Sequence, residues 1–195
     1  MTMADTVAVM NKGRIEQLGS PAVLYDLPRT AFVANFLGQS NLFTGPVVGT
    51  TAASISVDIE GSPVVVPKSR AQRHSGVVTV GVRPEKLTLH LTQPSSSAGT
   101  NILGPGRVVD VSFSGVSTQY IIAIPGLGSV VVFMQNTGAG PVVTEGAKLW
   151  VSWNVEHGFG LEDEAPAAPR FAADTDTASI ALEKKRVLMS ELEGA

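Results

Sequence analysis

The spacing of apolar residues changes once along the chain, at about residue 40. Before that point, residues 7–10 and 14–18 have the character of two short strands, and residues 11–13 between them read Asn-Lys-Gly, a sequence typical of a tight turn. After residue 40, apolar and polar residues alternate with a period of two. The pattern therefore predicts a hairpin near the N-terminus and a β-rich region beyond it.

Two short helices are predicted between the hairpin and residue 40. Ser20 is suited to cap the free amides of a helix that begins at Pro21 and runs through Tyr25. Thr30 is suited to cap a second helix that ends before Gly38. Four apolar residues of this second helix are expected to share one face: Phe32, Val33, Phe36 and Leu37.

The first part of the β-rich region is predicted to contain strands over residues 53–59, 64–66 and 77–82. A further alternation places Leu87, Leu89 and Leu91 on one face. We expect the basic residues 68–74 to form a solvated loop rather than an anion site, and the serine-rich residues 93–100 to form a mobile connection.

A second block of strands is predicted from Gly106 to Leu161. The residues expected to share faces along its successive strands are Val109, Val111 and Phe113; then Thr118, Tyr120, Ile122 and Ile124; then Val130, Val132 and Met134; and last Leu149, Val151 and Trp153. Short strands without interleaved helices indicate a small barrel, closed or partly open.

Composition narrows the function. The chain has 195 residues, a formal net charge of −3 and 44% apolar residues. It contains no cysteine, and this excludes disulfides, thiolate nucleophiles and cysteine-ligated zinc. No apolar run is long enough to cross a bilayer and no secretion signal is visible, so we expect a cytoplasmic protein. Nucleic-acid binding is disfavoured, because the chain is acidic and only 6% aromatic.

The sequence lacks the residues that ATP hydrolysis requires. A phosphate-binding loop has the pattern Gly-x4-Gly-Lys-Ser/Thr, and this pattern does not occur. The histidines His74, His90 and His157 are scattered, which does not indicate a metal site. We therefore predict a chain that is not an enzyme as it stands, with no catalytic residues, no metal and no cofactor of its own.

Two segments carry a family resemblance. Residues 4–38 resemble the region that follows the switch histidine in ATP-binding subunits of ABC importers. Residues 80–87, Val-Gly-Val-Arg-Pro-Glu-Lys-Leu, are similar to the Gly-x-Arg-Pro-Glu motif of the transport-associated OB (TOBE) domain, and residues 113–120 and 150–153 are similar to its glycine-containing strand pair and last strand. The chain thus resembles the C-terminal part of an importer ATP-binding subunit of the maltose, iron or spermidine/putrescine type, and residues 117–120 and 135–138 look most like the last of these.

The resemblance implies a domain organisation. Residues 1–40 would be the end of an ABC ATPase domain, residues 41–161 a TOBE/OB-like regulatory domain, and residues 162–195 a flexible tail. Residues 179–192 have helical composition, and both a short helix and a disordered end remain open there. The fold class is therefore mainly β, with OB-like small barrels of the TOBE type preceded by a hairpin and two short helices.

The resemblance also implies a regulatory and dimerisation role. In the family this domain pairs with its copy on a second subunit, so a homodimer and transmembrane permease subunits are the expected partners. ATP and Mg²⁺ belong to the parent protein, whose hydrolytic motifs would lie upstream of Met1. The parent complex would sit at the inner face of the cell membrane, without inserting this chain into the bilayer.

Arg83 and Glu85 are the first candidate site residues. They flank the rigid Pro84, where a guanidinium and a carboxylate can form a charge-assisted contact within or between subunits. Simple local packing at the end of a strand is the competing interpretation.

A second group of candidates follows from the competing function, a stand-alone protein that binds a small oxyanion. Molybdate-binding relatives of this domain hold their ligand in a cleft between barrels. By resemblance, such a site would use backbone amides near Ser114 and Gly115, or near Ser117 and Thr118.

Overall fold

The computed structural model describes residues 4–137 and 143–162 of the chain. The first described residues form a compact N-terminal unit, residues 4–40, which contains an antiparallel hairpin and two helices: β1 (Val7–Asn11), β2 (Arg14–Gly19), α1 (Pro21–Asp26) and α2 (Ala31–Phe36). The side chains of Ser20 and Thr30 accept hydrogen bonds from the amides of Val23 and Val33, as N-caps do. Within the described ranges no helix combines the length and apolarity that a membrane span requires.

The remaining described residues form the β region, residues 41–162. Its ten strands are β3 (Asn41–Thr50), β4 (Ser54–Ile59), β5 (Ser62–Pro67), β6 (Val77–Val82), β7 (Thr88–His90), β8 (Thr100–Phe113), β9 (Ser117–Ile124), β10 (Gly128–Gln135), β11 (Lys148–Asn154) and β12 (Gly158–Gly160). Three short 3-10 turns connect them, at Lys68–Arg70, Pro84–Lys86 and Val155–His157.

The ten strands form two five-stranded sheets. Each half of the β region, residues 41–90 and residues 100–160, contributes its last strand to the sheet built mainly by the other half. The first sheet has the order β12-β6-β3-β4-β5 and the second the order β10-β9-β8-β11-β7. After β6, the turn Pro84–Lys86 carries the chain into β7, which joins the second sheet; after β11, the turn Val155–His157 carries it into β12, which joins the first. Neither sheet is therefore complete without a strand from the other half of the chain.

The same asparagine contact occurs once in each half. Asn41, at the start of β3, exchanges two hydrogen bonds of 2.8 and 2.7 Å with the backbone of Val131 on edge strand β10. Asn101, near the start of β8, exchanges bonds of 2.9 and 2.8 Å with the backbone of Val65 on edge strand β5. Each buried side-chain amide thus acts like a strand residue and ties the central strand of one sheet to the edge of the other.

One hydrophobic core lies between the two sheets, as the alternation predicts. Apart from Met134, which is partly buried, the residues predicted to share a face on β4, β9, β10 and β11 are fully or nearly fully buried: Ile55, Val57, Ile59, Thr118, Tyr120, Ile122, Ile124, Val130, Val132, Leu149, Val151 and Trp153. The predicted fold class is confirmed: the chain is mainly β, with two OB-like curled sheets preceded by a hairpin and two short helices.

The predicted common face of α2 is wrong. Val33 is fully buried, but Phe32 and Phe36 are 37% and 65% exposed and stack on each other with ring centroids 5.9 Å apart. The helix buries Ala31 and Ala34 instead, which pack in a cluster with an aromatic side chain of β12 and with the leucine directly after that strand. Small residues let the helix approach that cluster closely, so packing overrode the preference for burying the larger side chains.

β8 also differs from its prediction. It begins at Thr100, not Gly106, and a bulge between Val108 and Asp110 shifts its register. Val108 is therefore fully buried, whereas Phe113 at the far end is 75% exposed.

Leu91, predicted to continue the inward face of β7, lies past the end of that strand and is 52% exposed. Of the predicted tail, residues 163–195, including the helical segment 179–192, lie outside the described residues.

A glycine that packs against an aromatic ring in the first sheet generates a prediction. Gly81 lies opposite Phe159 across β6 and β12, and a Cβ at residue 81 would overlap the Phe159 ring. We expect Gly81→Ala to reduce the free energy of unfolding by about 1–3 kcal/mol, because the displaced ring has no free space to enter. The measurement is urea unfolding followed by tryptophan fluorescence. Gly49→Ala is the control, because its Cβ would meet only Ser56 Cβ at 3.4 Å; equal losses in both variants would contradict the prediction.

Candidate functional site

The contact between the N-terminal unit and the β region is built around the ends of two very short helices. α1 and α2 have six residues each. The last carbonyl groups of any helix lack partners within the helix, and they must find donors elsewhere when they are buried. Here the donors come from two arginines of the β region, Arg83 and Arg70. We call their contact with the ends of the two helices the arginine junction.

Arg83, directly after β6, serves both helix ends. Its side chain is buried, with 3% of the residue exposed. Nη1 donates to the carbonyl of Ala34 in α2 at 2.7 Å and to the carbonyl of Gly38 at 2.8 Å, and it lies 2.7 Å from Ser40 Oγ. Nη2 donates to the carbonyl of Tyr25 in α1 at 2.9 Å. One guanidinium therefore fixes the ends of both helices on the β region.

Tyr25 lies between the two charged residues of the Arg-Pro-Glu sequence. The Arg83 guanidinium carbon is 4.1 Å from the centre of the Tyr25 ring, a cation–π contact, and the phenol donates a 2.6 Å hydrogen bond to Glu85 Oε1. Burial, reinforced by that hydrogen bond, raises the pKa of Tyr25. Burial lowers the pKa of Arg83, which still keeps its charge at neutral pH because an arginine normally titrates far above it.

Arg70 forms the second half of the junction. Its Nη1 and Nη2 donate to the two carboxylate oxygens of Asp26 at 2.9 and 3.0 Å, and Nη2 also donates to the Asp26 carbonyl at the end of α1. Nε donates to the carbonyl of Gly158 in β12. The hydrogen bond from Arg70 lowers the pKa of Asp26. The expectation that residues 68–74 are simply solvated is therefore wrong at Arg70, whose side chain is 13% exposed.

The backbone groups of the loop between the two helices also have hydrogen-bond partners. The Gln17 side chain, from β2, donates to the carbonyl of Leu27 at 3.0 Å and accepts from the amide of Arg29 at 2.9 Å. The carbonyl of Arg29 accepts from the amide of Glu162, and their side chains form a 3.1 Å ion pair. The N-terminal unit is thus held at three points along residues 25–29.

The structure brings Arg83 and Glu85 together around one partner. Their shared contact lies within one chain and joins the N-terminal unit to the β region, so it is more than packing at a strand end. Whether these residues also serve a function stays a prediction.

The other candidates lie elsewhere, in the turn between β8 and β9 and at the first two residues of β9. The amide and hydroxyl of Ser114 both donate to the carbonyl of Ser117, and the Asn136 side chain donates to the carbonyl of Gly115 and accepts from the Thr118 hydroxyl. The side-chain hydrogen bonds of Arg83 go to residues 25–40 and none of them reaches this turn. Its polar groups largely serve each other, and its role as a ligand site or interface stays a prediction.

Sequence reasoning missed Tyr25, Asp26 and Arg70 as partners in the junction. Arg70 is 44 residues from Asp26, and Tyr25 is 60 residues from Glu85. The sequence showed only that some carbonyl groups would need donors from elsewhere, because two predicted helices of about six residues must leave carbonyls without partners. The asparagine contacts had a visible signal, since residues 41–43 and 101–103 both read Asn followed by two large apolar residues.

Arg83→Lys tests the junction. Lysine keeps the charge but lacks the planar fork that reaches both helix ends, so carbonyls are left unpaired. We expect the free energy of unfolding to fall by about 1–3 kcal/mol, and backbone amides of residues 21–36 to exchange faster with deuterium. Arg107→Lys is the matched control, because the exposed Arg107 side chain makes one hydrogen bond to the described residues, to the Gly146 carbonyl. Unchanged exchange in residues 21–36 of Arg83→Lys would contradict the prediction.

Asp26→Asn tests the Arg70 contact through pH. Because the folded-state pKa of Asp26 is depressed, its stabilisation is present above the ordinary value of 3.8 and is lost as pH falls through the lower folded-state pKa. With the Asp26 side chain 58% exposed, the gain over asparagine at pH 7 should be under about 1 kcal/mol. Unfolding of both proteins from pH 7 to pH 2 should show the gain vanishing in acid. In an Arg70→Met background the gain should be small at every pH, and a persistent gain there would contradict the assignment.

Comparison with known proteins places this architecture in a family. Residues 80–161 match the TOBE domain family. The chain is 38% identical to the spermidine/putrescine import ATP-binding protein PotA of Frankia alni over 84% of this chain and 37% of that protein. For PotA of Thermobifida fusca the identity is 36%, over 83% of this chain and 41% of that protein. The chain therefore spans less than half the length of these relatives.

A solved structure supports the fold. The cytoplasmic molybdate-binding protein ModG, with molybdate bound, superposes with a TM-score of 0.51 at 18% identity, covering 66% of this chain and 96% of ModG. At that identity the likeness concerns the fold alone. The resemblance read from residues 4–38 and 80–87 is confirmed: the chain carries a TOBE domain and is related, over most of its length, to the ATP-binding proteins of spermidine/putrescine importers.

Proposed function

We propose that this chain is the regulatory and dimerisation region of an importer ATP-binding protein for spermidine, putrescine or a related solute. The observation that carries the proposal is the likeness to spermidine/putrescine import proteins, which covers more than four-fifths of the chain and so extends well beyond the TOBE match. Regulation is the proposed role because the 195 residues contain no phosphate-binding loop.

The proposed partners follow from the same likeness. ATP and Mg²⁺ are bound by a part of the parent protein outside these 195 residues, and transmembrane permease subunits receive the motion that hydrolysis drives. The parent complex works at the inner face of the cell membrane. The β region of one copy pairs with that of a second copy.

The arginine junction gives this proposal a physical basis. Arg83 and Arg70 hold both helix ends of the N-terminal unit on the β region, so the two parts move together. A pair of β regions attached in this way keeps two ATP-binding parts at a high effective concentration, and the parts need not find each other from solution in every cycle.

Oxyanion binding is the weaker function. A cleft of about 520 Å³ opens beside the turn Val155–His157. Of the described residues that line it, only Glu156 is charged, and its carboxylate would repel an anion. Two donors of the predicted turn are occupied as well, since the amide and hydroxyl of Ser114 both donate to the carbonyl of Ser117. These contacts favour the transport role.

A chimera tests the proposal. The portion of the Thermobifida fusca protein that this chain matches, 41% of its length, is replaced by residues 1–195, and the chimera is expressed in cells that lack their own polyamine-import ATP-binding subunit. We expect spermidine or putrescine uptake to return and the purified chimera to scatter light as a dimer.

The control chimera carries residues 1–40 alone and should remain monomeric without nucleotide. A folded chimera that hydrolyses ATP but neither dimerises nor supports uptake would refute the proposal. Uptake that is equal with and without residues 41–195 would refute the regulatory role.

A further inference from the structure

The β region offers two comparable places beside its turns. The turn Pro84–Lys86 follows β6 and packs against edge strand β10, which Asn41 binds. The turn Val155–His157 follows β11 and packs against edge strand β5, which Asn101 binds. The two places are therefore counterparts, one in each half of the β region.

The first place receives the N-terminal unit. Glu85, the middle residue of its turn, accepts the 2.6 Å hydrogen bond from the Tyr25 phenol. Arg83, directly before the turn, donates to the Tyr25 carbonyl. A carboxylate and a guanidinium of the β region thus hold one guest segment there.

The second place has the carboxylate without the guanidinium. Glu156 is the middle residue of its turn, and Asn154 stands directly before the turn, as Arg83 does in the first place. The Asn154 side chain accepts a hydrogen bond from the Glu156 amide, so it caps its own turn. Neither of the two ion pairs among the described residues involves Glu156. A guest segment at this place must therefore bring the cation itself.

The cleft of about 520 Å³ at the second place sets the rest of the guest's chemistry. Among the described residues of its lining only Glu156 is charged, and the others are mainly prolines, small apolar residues and residues with a hydroxyl group. The larger apolar ones are Pro63, Val65, Pro67 and Val155. The cleft thus fits a slender apolar segment that carries one positive charge.

The chain itself contains such a segment shortly after the described residues. Residues 165–170 read Ala-Pro-Ala-Ala-Pro-Arg, and Arg170 is the first basic residue after β12. Two prolines spaced three positions apart favour the polyproline II conformation. A segment that is already restricted in this way loses little conformational freedom when it binds.

The segment is also long enough to return to the cleft. Glu162, the last described residue, is six positions after Glu156, so the two lie within about 21 Å of each other. Arg170 is eight positions further along, and an extended chain of eight residues spans about 28 Å. Arg170 can therefore reach Glu156.

We propose that residues 165–170 occupy the cleft beside Val155–His157, with the Arg170 guanidinium on the Glu156 carboxylate. The segment then fills the second place as the N-terminal unit fills the first, and any other ligand of the cleft has to displace it. The inference goes beyond the proposed function, since it needs neither transport nor pairing with a second copy.

The chain has no cysteine, so one introduced pair can report this contact. The pair is Ser96→Cys, in the lining of the cleft, with Ala168→Cys, and mass spectrometry follows the rate at which the full-length chain forms an intramolecular disulfide. We expect Arg170→Gln and Glu156→Gln each to slow this reaction about threefold, the effect of losing one exposed ion pair. Exchanging the charges, Glu156→Arg with Arg170→Glu, should restore the rate.

The matched control is Arg186→Gln, which removes one positive charge elsewhere in the tail and should leave the disulfide rate unchanged. A second measurement needs no cysteine. In the otherwise unmodified chain, Arg170→Gln should make the amides of residues 96–101 exchange with deuterium about threefold faster, because the segment that covers them leaves more often.

Three outcomes would overturn the inference. The first is an equal disulfide rate with and without the two charges, together with unchanged exchange of residues 96–101. The second is a control variant that slows the reaction as much as Arg170→Gln does, since any basic residue of the tail would then suffice. The third is disulfides that form mainly between chains, since the occupant would then be the tail of a second copy.

Discussion

The constraint on which this structure depends is the need of two six-residue helices for donors at their C-terminal ends. Helices this short are not stable alone, since each leaves most of its terminal carbonyls unpaired. The β region meets that need with Arg83 and Arg70, whose guanidinium groups each reach several acceptors at fixed angles. Two side chains that do not belong to the N-terminal unit therefore help to set its position, together with the packing of Ala31 and Ala34 against β12.

Strand exchange makes the β region able to act as such a support. Because β7 and β12 each complete the sheet of the other half, the two sheets form as one body, and Asn41 and Asn101 tie them further. β12 also reaches the N-terminal unit, since Phe159 packs with Ala31 and Ala34 while Gly158 accepts a hydrogen bond from Arg70. The same short strand closes the first sheet and receives the helices.

The N-terminal unit has two unlike sides, one in contact with the β region and one exposed. Polar and charged contacts suit its inner side, because they orient two rigid parts through directional hydrogen bonds. Several large apolar side chains of the unit are instead exposed, among them Met10, Ile15 and Leu18.

The sequence by itself determined the local structure. Turn residues, caps and alternation located the hairpin, both helix starts and most inward faces, because these depend on neighbours only a few residues apart. It also pointed to Arg83 and Glu85, through a motif. Tertiary structure decided the rest: which side of α2 is buried, where the bulge near Val108 turns β8, how the two halves exchange strands, and that Tyr25 and Asp26 receive the arginines. Those outcomes depend on contacts between residues tens of positions apart, where close packing and the pairing of buried carbonyls prevail over the preferences of single residues.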